Sequence, residues 1–126
     1  MAVTDESIIF NTATTVYDGE TILSNEVEIQ GEKIPPILTK STTFTGEWKK
    51  RSIIPYKILY KNNNAFANIN APFADVLDVK TAFLAGSFRV DGVVVTPLTT
   101  TPAITYTFTS VPANTTIKVE FNVTVL

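Results

Sequence analysis

Apolar and polar residues alternate with a period of two over much of this chain, most cleanly at its C-terminal end. There Ile117, Val119, Phe121, Val123 and Val125 interleave with Lys118, Glu120, Asn122 and Thr124. A period of two sends successive side chains to opposite faces, so the run predicts a half-buried strand. The preceding "AITYTFTSV", Ala103 to Val111, predicts a second strand, and "PANT", Pro112 to Thr115, a turn joining the two as a hairpin. In "SIIPYKILYKN" the residues Ile54, Tyr56, Ile58 and Tyr60 alternate against Lys57, Leu59 and Lys61. Pro55 removes one ladder donor from that strand and points to an edge or a bulge.

The rest of the chain carries shorter runs and clear punctuation. "AFANINAPFAD", Ala65 to Asp75, predicts an extended segment ended by Pro72 and a polar stretch. "FLAGSFRVDGVVV" predicts a strand up to Val90, a tight turn at Asp91-Gly92 and a short return strand, because Asp-Gly tolerates the positive φ of a type I′ turn. "PPILTKSTTF" starts a strand after the stiff Pro35-Pro36 pair, "NNN" at 62–64 makes a loop, and "TPLTTTPA" at 96–103 is a polar connection. At the front, "IIFNTATTVYDGETILSNEVEI" predicts two strands around Asp18-Gly19. Helical periodicity lasts for no more than a single turn, near "APFADVLD" at 71–78. Eight or nine short strands at this spacing predict an all-β sandwich.

Composition agrees with that class and narrows the chemistry. The chain has 126 residues, the size of one domain, with 44% hydrophobic residues and 20 threonines; β-branched side chains suit a pleated surface. A net charge of −2 with one short basic cluster, Lys49 to Arg51, gives no footprint for nucleic acid. There is no Cys and no His, which removes Cys and Ser-His nucleophiles, the usual zinc sites and a histidine pH switch. Neither an enzyme nor a cofactor is expected. No apolar run approaches the 18 residues of a membrane span, and "MAVTDESIIF" lacks the basic and apolar regions of a signal peptide, so neither membrane insertion nor a signal peptide is expected.

In order along the chain, "ILTKS", "IPYKILYKNNN", "FLAGSFRVDGV" and "TIKVEFNVTVL" resemble the β-sandwich repeat found in tandem on large bacterial and archaeal surface proteins. Its marks are a Lys-Ser strand, a tyrosine-bearing strand ending in Asn, a Gly-Ser-Val-x-Val-x-Gly hairpin and a final Val-rich strand. "AGSFRVDG" is the best single match. The resemblance covers roughly Ile37 to Leu126 and implies an Ig-like sandwich of seven to nine strands. In those repeats the Val-rich strand is followed by a segment like I-x-N-x-A-x-x-x-Y, a turn and S-N-x-V. Here "IFNTATTVY" and "SNEVEI" precede the body instead, as if the repeat were circularly permuted. The implied division is a donor strand or hairpin at 1–30, a Pro-containing linker at 31–36 and a sandwich body at 37–126.

A body without its last strands keeps open edges, and a hairpin can fill them in its own molecule or in the next one by strand addition. The linker "QGEKIPP" reaches at most about 25 Å, whereas a ten-residue strand is roughly 33 Å long. Exchange between molecules is therefore expected. The donor residues are Ile9, Asn11, Ala13, Thr15 and Tyr17 on one face of the first strand, with Leu23, Asn25, Val27 and Ile29 on one face of the second. Asn11 and Asn25 would pair across the two strands. The expected acceptor groove is lined by Ile117, Val119, Phe121, Val123 and Val125. A donor passed head to tail makes an open-ended contact, so the expected function is a homopolymeric, pilus-like fibre. Its partners are itself and unidentified anchor or tip proteins, and its place the extracellular or spore surface. The alternative is a monomeric binding module excised from a larger adhesin, recognising a ligand through the 96–103 loop or the Trp48 turn.

Other residues have a chemical and a plainer reading. Lys40 and Asn122 are candidates for the isopeptide bond that some surface sandwiches form, with Glu120 or Asp75 assisting; Lys on a strand is more often an edge guard. Asp75 and Asp78 offer two oxygens to calcium, which needs six to eight ligands. Trp48 suits a partner anchor or a cover for the end of its own core. "NTT" at 114–116 and "NVT" at 122–124 match a glycosylation pattern and read as ordinary turn and strand residues.

Overall fold

The computed structural model describes residues 7–126, so the first six residues of the expected donor segment lie outside the described residues. The described chain is all-β, with no helix and ten strands. They are β1 (Ile8–Tyr17), β2 (Glu20–Gln30), β3 (Ile37–Ser41), β4 (Ile53–Lys61), β5 (Asn68–Val76), β6 (Thr81–Phe83), β7 (Arg89–Val90), β8 (Val93–Val94), β9 (Ala103–Val111) and β10 (Thr116–Val125). β1 and β2 form a separate hairpin. In the body, one sheet runs β3-β4-β10-β7-β8 with β6 beside the end of β10, and a second sheet contains β5 and β9 alone. Every pairing is antiparallel.

The two body sheets face each other across one core, a sandwich-like arrangement. Alternation explains which residues enter it: Ile58 and Tyr60 from β4, Ala71 and Phe73 from β5, Ile104 and Phe108 from β9, and the odd-numbered residues of β10 from Ile117 to Val123. Aromatic contacts join the sheets, with Tyr60 edge-on to Phe108 at 5.5 Å between ring centroids, and Phe88 tilted against Tyr106 at 5.5 Å and Phe121 at 6.4 Å. Such pairs add to area burial through the quadrupoles of the rings.

Two local expectations are corrected. β9 and β10 do not form a hairpin: β9 pairs with β5 and β10 with β4 and β7, so the turn at 112–115 arches from one sheet to the other. The arch is held by the 62–64 loop, where Asn62 Nδ2 donates to Val111 O and Pro112 O, and Asn114 N donates to Asn64 O. β5 passes straight through Pro72 to Val76 and leaves no helical turn at 71–78. The edge expected at Pro55 is local: Pro55 opposes Asn122 of β10 on one side, and its other side faces the open flank of β4. β3 ends at Ser41, opposite Lys57, so the flank where Pro55 lacks an N–H is already unpaired, and its carbonyl accepts from Thr42 Oγ1.

Both Asp-Gly turns form as read. Asp18 and Gly19 have φ of 49° and 76°, and Asp91 and Gly92 have 49° and 82°, the left-handed values a two-residue hairpin turn requires. Asp91 adds a side-chain bond, accepting from Lys118 N at 2.8 Å. A β-branched residue in that backbone well is strained. Gly92→Val is therefore expected to lower stability by about 1 to 2 kcal/mol, which thermal unfolding would read directly.

Candidate functional site

Among the described residues, the two strands of the hairpin pair only with each other. All its residues from Ile9 to Gln30 are exposed, including Ile9, Val16, Tyr17, Leu23, Val27 and Ile29 at half exposure or more. It meets the body at its base. Gly31 N donates to Ser7 O at 2.6 Å, and a Cβ on Gly31 would lie 3.1 Å from that oxygen and 3.3 Å from Phe66 Cε1. Glycine is what lets the base close there against the ring. Ile34 is then clasped at both backbone groups, its N–H donating to Asn64 Oδ1 at 2.6 Å and its carbonyl accepting from Asn64 Nδ2 at 3.1 Å. The linker is thus fastened to the end of the body where β4 stops, β5 starts and β9 turns into β10. We call this the near end.

Register decides which hairpin residues share a face, because directly opposed residues point the same way. Ile9 opposes Ile29 and Asn11 opposes Val27, which places these four together. A bulge follows. Thr12 opposes Glu26 and Thr14 opposes Leu23, so Ser24 and Asn25 both stand against Ala13. The extra residue reverses the phase of β2 beyond it. Leu23 leaves the face of Val27 and Ile29 and sits with Thr14, while Ile22, opposite Thr15, takes the place expected of Leu23. Asn11 faces Val27 rather than Asn25, so the expected amide pair does not form. The corrected face holds Ile9, Asn11, Ala13, Thr15, Tyr17, Ile22, Val27 and Ile29, with Glu20 at the tip. The opposite face carries Thr12, Thr14, Glu26 and Glu28 beside Ile8, Phe10, Val16 and Leu23.

The face expected to act as an acceptor groove is closed. Val119 and Val123 have 0% exposure, Phe121 1%, Val125 3% and Ile117 7%, because β10 is central in its sheet and β5 and β9 cover it. These side chains are already filled in by their own molecule. The open place is a cleft of about 260 Å³ between the edge of β3 and the edge of β5, lined by Leu38, Lys40, Ile58, Phe73, Ala74, Asp75 and Val76. Its cause is a mismatch in width. One sheet is five strands across and the other two, so the inner face along β3 and β4 lacks a cover, and Leu38 remains 56% exposed.

One ion pair crosses the cleft. Lys40 Nζ lies 2.7 Å from Asp75 Oδ2 and 4.3 Å from the centroid of the Tyr56 ring. Lys40 opposes the buried Ile58 and so points inward from β3, and Asp75 lies on the inward face of β5 with its side chain only 10% exposed. An inward charge on an edge strand discourages indiscriminate strand pairing, and here each edge of the cleft carries one. The same geometry removes the isopeptide candidate. Asn122 alternates with the buried Phe121 and Val123 and therefore faces away from the core, on the opposite side of the sheet from Lys40. Glu120 is likewise on that outer face and pairs with Lys118 at 3.4 Å.

The remaining candidates are ordinary in their surroundings. Asp78 accepts from Lys80 N at 2.8 Å and Lys80 Nζ at 3.2 Å, and the backbone N–H of Lys80, then its ammonium, hold the carboxyl below its usual value. Asp75 and Asp78 thus serve different lysines, and among the described residues no group of three or more acidic or metal-binding side chains converges. Trp48 is 54% exposed and flanks a cleft of about 160 Å³ with Ile54, Tyr56, Asp78, Lys80, Thr81 and Val125, where it partly covers the end of the core. Among the described residues no helix is long and apolar enough to cross a membrane. No protein-family model, curated protein or solved structure matches the chain.

Proposed function

We propose that this chain is a structural subunit that polymerises head to tail, each molecule lending its N-terminal hairpin to the open cleft of the next. The observation that carries the reading is the coincidence of two incomplete parts: a hairpin exposed from Ile9 to Gln30, and a body whose smaller sheet is two strands narrow. Two arms added to two strands make four against five. The lengths also agree, since β1 and β2 have 10 and 11 residues and β5 and β9 have 9 each. The linker anchored at Ile34 gives the hairpin no slack with which to fold back along its own body.

The linker is clasped at the near end of the body, where β5 starts, so a neighbour's hairpin enters from the far end, where Val76, Leu77 and Leu126 lie. The molecules then stack in one direction and the contact does not close on itself, the geometry of a filament. Five apolar donor side chains, Ile9, Tyr17, Ile22, Val27 and Ile29, at roughly 1.5 to 3 kcal/mol each before ordering terms, are enough for a durable joint. The completed body would be an Ig-like sandwich, like one repeat of the surface proteins that the sequence resembles. A fibre on a cell or spore surface is the setting that this resemblance favours.

Electron microscopy of the purified protein and of a variant lacking residues 1–30 tests the reading. Filaments are expected from the full chain and none from the truncated one. A monodisperse 13.8 kDa particle from the full chain would instead favour a monomeric binding module.

A further inference from the structure

We infer that the incoming hairpin adds through its first strand to the free edge of β5, and that side-chain direction forbids the edge of β3 across the cleft. The inference rests on the assembly proposed above and specifies its joint.

Backbone groups alternate between the two edges of a strand, so one observed bond fixes the direction of all the others. In β9, Thr105 N donates to Thr99 O at 3.1 Å and Thr105 O accepts from Leu98 N at 2.8 Å, both turned away from β5. Ile104, Tyr106 and Phe108 therefore serve β5, and their partners Asp75, Phe73 and Ala71 serve β9. The backbone groups left on the open edge of β5 are those of Pro72, Ala74 and Val76. Pro72 has no N–H to waste there, which is where proline is tolerated in a sheet. The side chains of these three residues are exposed and face outward.

The edge of β3 has the opposite arrangement. In β10, Lys118 O accepts from Asp91 N and Asn122 O from Leu84 N, so its even-numbered residues point away from β4 and its odd-numbered ones toward it. Ile54, Tyr56, Ile58 and Tyr60 are thereby committed to β10, leaving Lys57, Leu59 and Lys61 to bond Ser41, Thr39 and Ile37. On the open edge of β3 stand Leu38 and Lys40, opposite the buried Tyr60 and Ile58, with their side chains inward.

The hairpin has its own parity. Ser7 O accepts from Gly31 N, and Ala13 N donates across to Ser24 Oγ at 2.9 Å, so the odd-numbered residues of β1 serve β2. Phe10, Thr12, Thr14 and Val16 carry the groups on its open edge. Entering tip first from the far end, β1 runs antiparallel to β5, whereas β2 would run parallel. Residues that exchange hydrogen bonds in an antiparallel pair lie on the same face. Against β5, the even-numbered residues of β1 join Pro72 and Ala74 on the outside, and Ile9, Ala13, Tyr17, Val27 and Ile29 turn into the core. Against β3, they would join Leu38 and Lys40 on the inside and carry Glu26 and Glu28 with them. Burying two unpaired carboxylates is prohibitive. The completed sheet is β9-β5-β1-β2, the last two strands from the neighbour, and antiparallel throughout.

The chain has no cysteine, so engineered pairs report the joint without background. Phe10→Cys, Thr12→Cys and Thr14→Cys are each combined with Ala74→Cys, and in a second set with Leu38→Cys, then polymerised and oxidised. One of the three Ala74→Cys pairings is expected to turn the monomer band into a ladder at multiples of 13.8 kDa on a non-reducing denaturing gel, with no ladder from the Leu38→Cys set. Filaments that cross-link through position 38, or that form without a cross-link to position 74 in any pairing, overturn the edge assignment and leave the assembly standing. Protein that forms no filaments even without the substitutions overturns both.

Discussion

Replacing Val27 and Ile29 together by lysine is expected to abolish filaments while leaving the thermal midpoint of the monomer where it was. In the single molecule both side chains are exposed, at 52% and 61%, so the body has nothing to lose from the change. In the proposed joint they face the core, where each substitution removes roughly 1.5 to 3 kcal/mol of apolar burial and introduces an ammonium whose desolvation costs several kcal/mol more. A total of at least about 6 kcal/mol, at 1.4 kcal/mol per tenfold, weakens association by more than about ten-thousandfold. The matching control is Glu26→Lys with Glu28→Lys. It changes the net charge by four units rather than two, yet lies on the outward face, and its filaments should persist. Sedimentation and microscopy at equal concentration read both outcomes. Filaments from the first variant, or loss of filaments from the second alone, would contradict the assigned face.

Asn62→Ala is expected to destabilise the body by roughly 3 to 5 kcal/mol. Asn62 has 0% exposure and uses its whole amide: Nδ2 donates to Phe66 O, Val111 O and Pro112 O at 3.0 to 3.1 Å, and Oδ1 accepts from Asn64 N at 2.9 Å. Truncation removes the two N–H groups that the three carbonyls share at a place with little access to water, and an unmade buried bond costs more than a made one contributes. For a domain of this size the unfolding midpoint should fall by on the order of 10 °C. Assembly should weaken as well, because Asn62 positions Asn64, and Asn64 holds the linker at Ile34. Chemical denaturation reads the first effect; the second is the lowest protein concentration at which filaments appear.

Asn62 also marks the limit of what local pattern can tell. The alternation in β4, β9 and β10 and the two Asp-Gly turns could be read directly, because each depends on residues within a few positions of one another. The sheet to which each strand belongs could not. Pro-Ala-Asn-Thr has the look of a hairpin turn, and only side chains some 50 residues earlier convert it into an arch between sheets. The cover on β10 is hidden for the same reason: period two announces that one face of β10 is buried without saying by what, and β5 and β9 cover it. The bulge that moves Leu23 to the other face leaves little trace in an alternating run of Thr, Ser and Asn. Pro72 in a strand announces a free edge, and the lysine in "ILTKS" announces another; together they outline the cleft.

The anchored linker has a mechanical consequence. If β1 lies antiparallel along β5 of the next molecule, a pull along a filament reaches each joint parallel to its strands, entering through the clasp at Ile34 and the stem at Gly31. The bonds along the shared edge are then sheared together and must fail as a group, whereas a force across the strands would open them one after another. Pro72 subtracts a single donor from that shared row. A thread built this way resists stretching better than peeling, and its weakest direction is sideways.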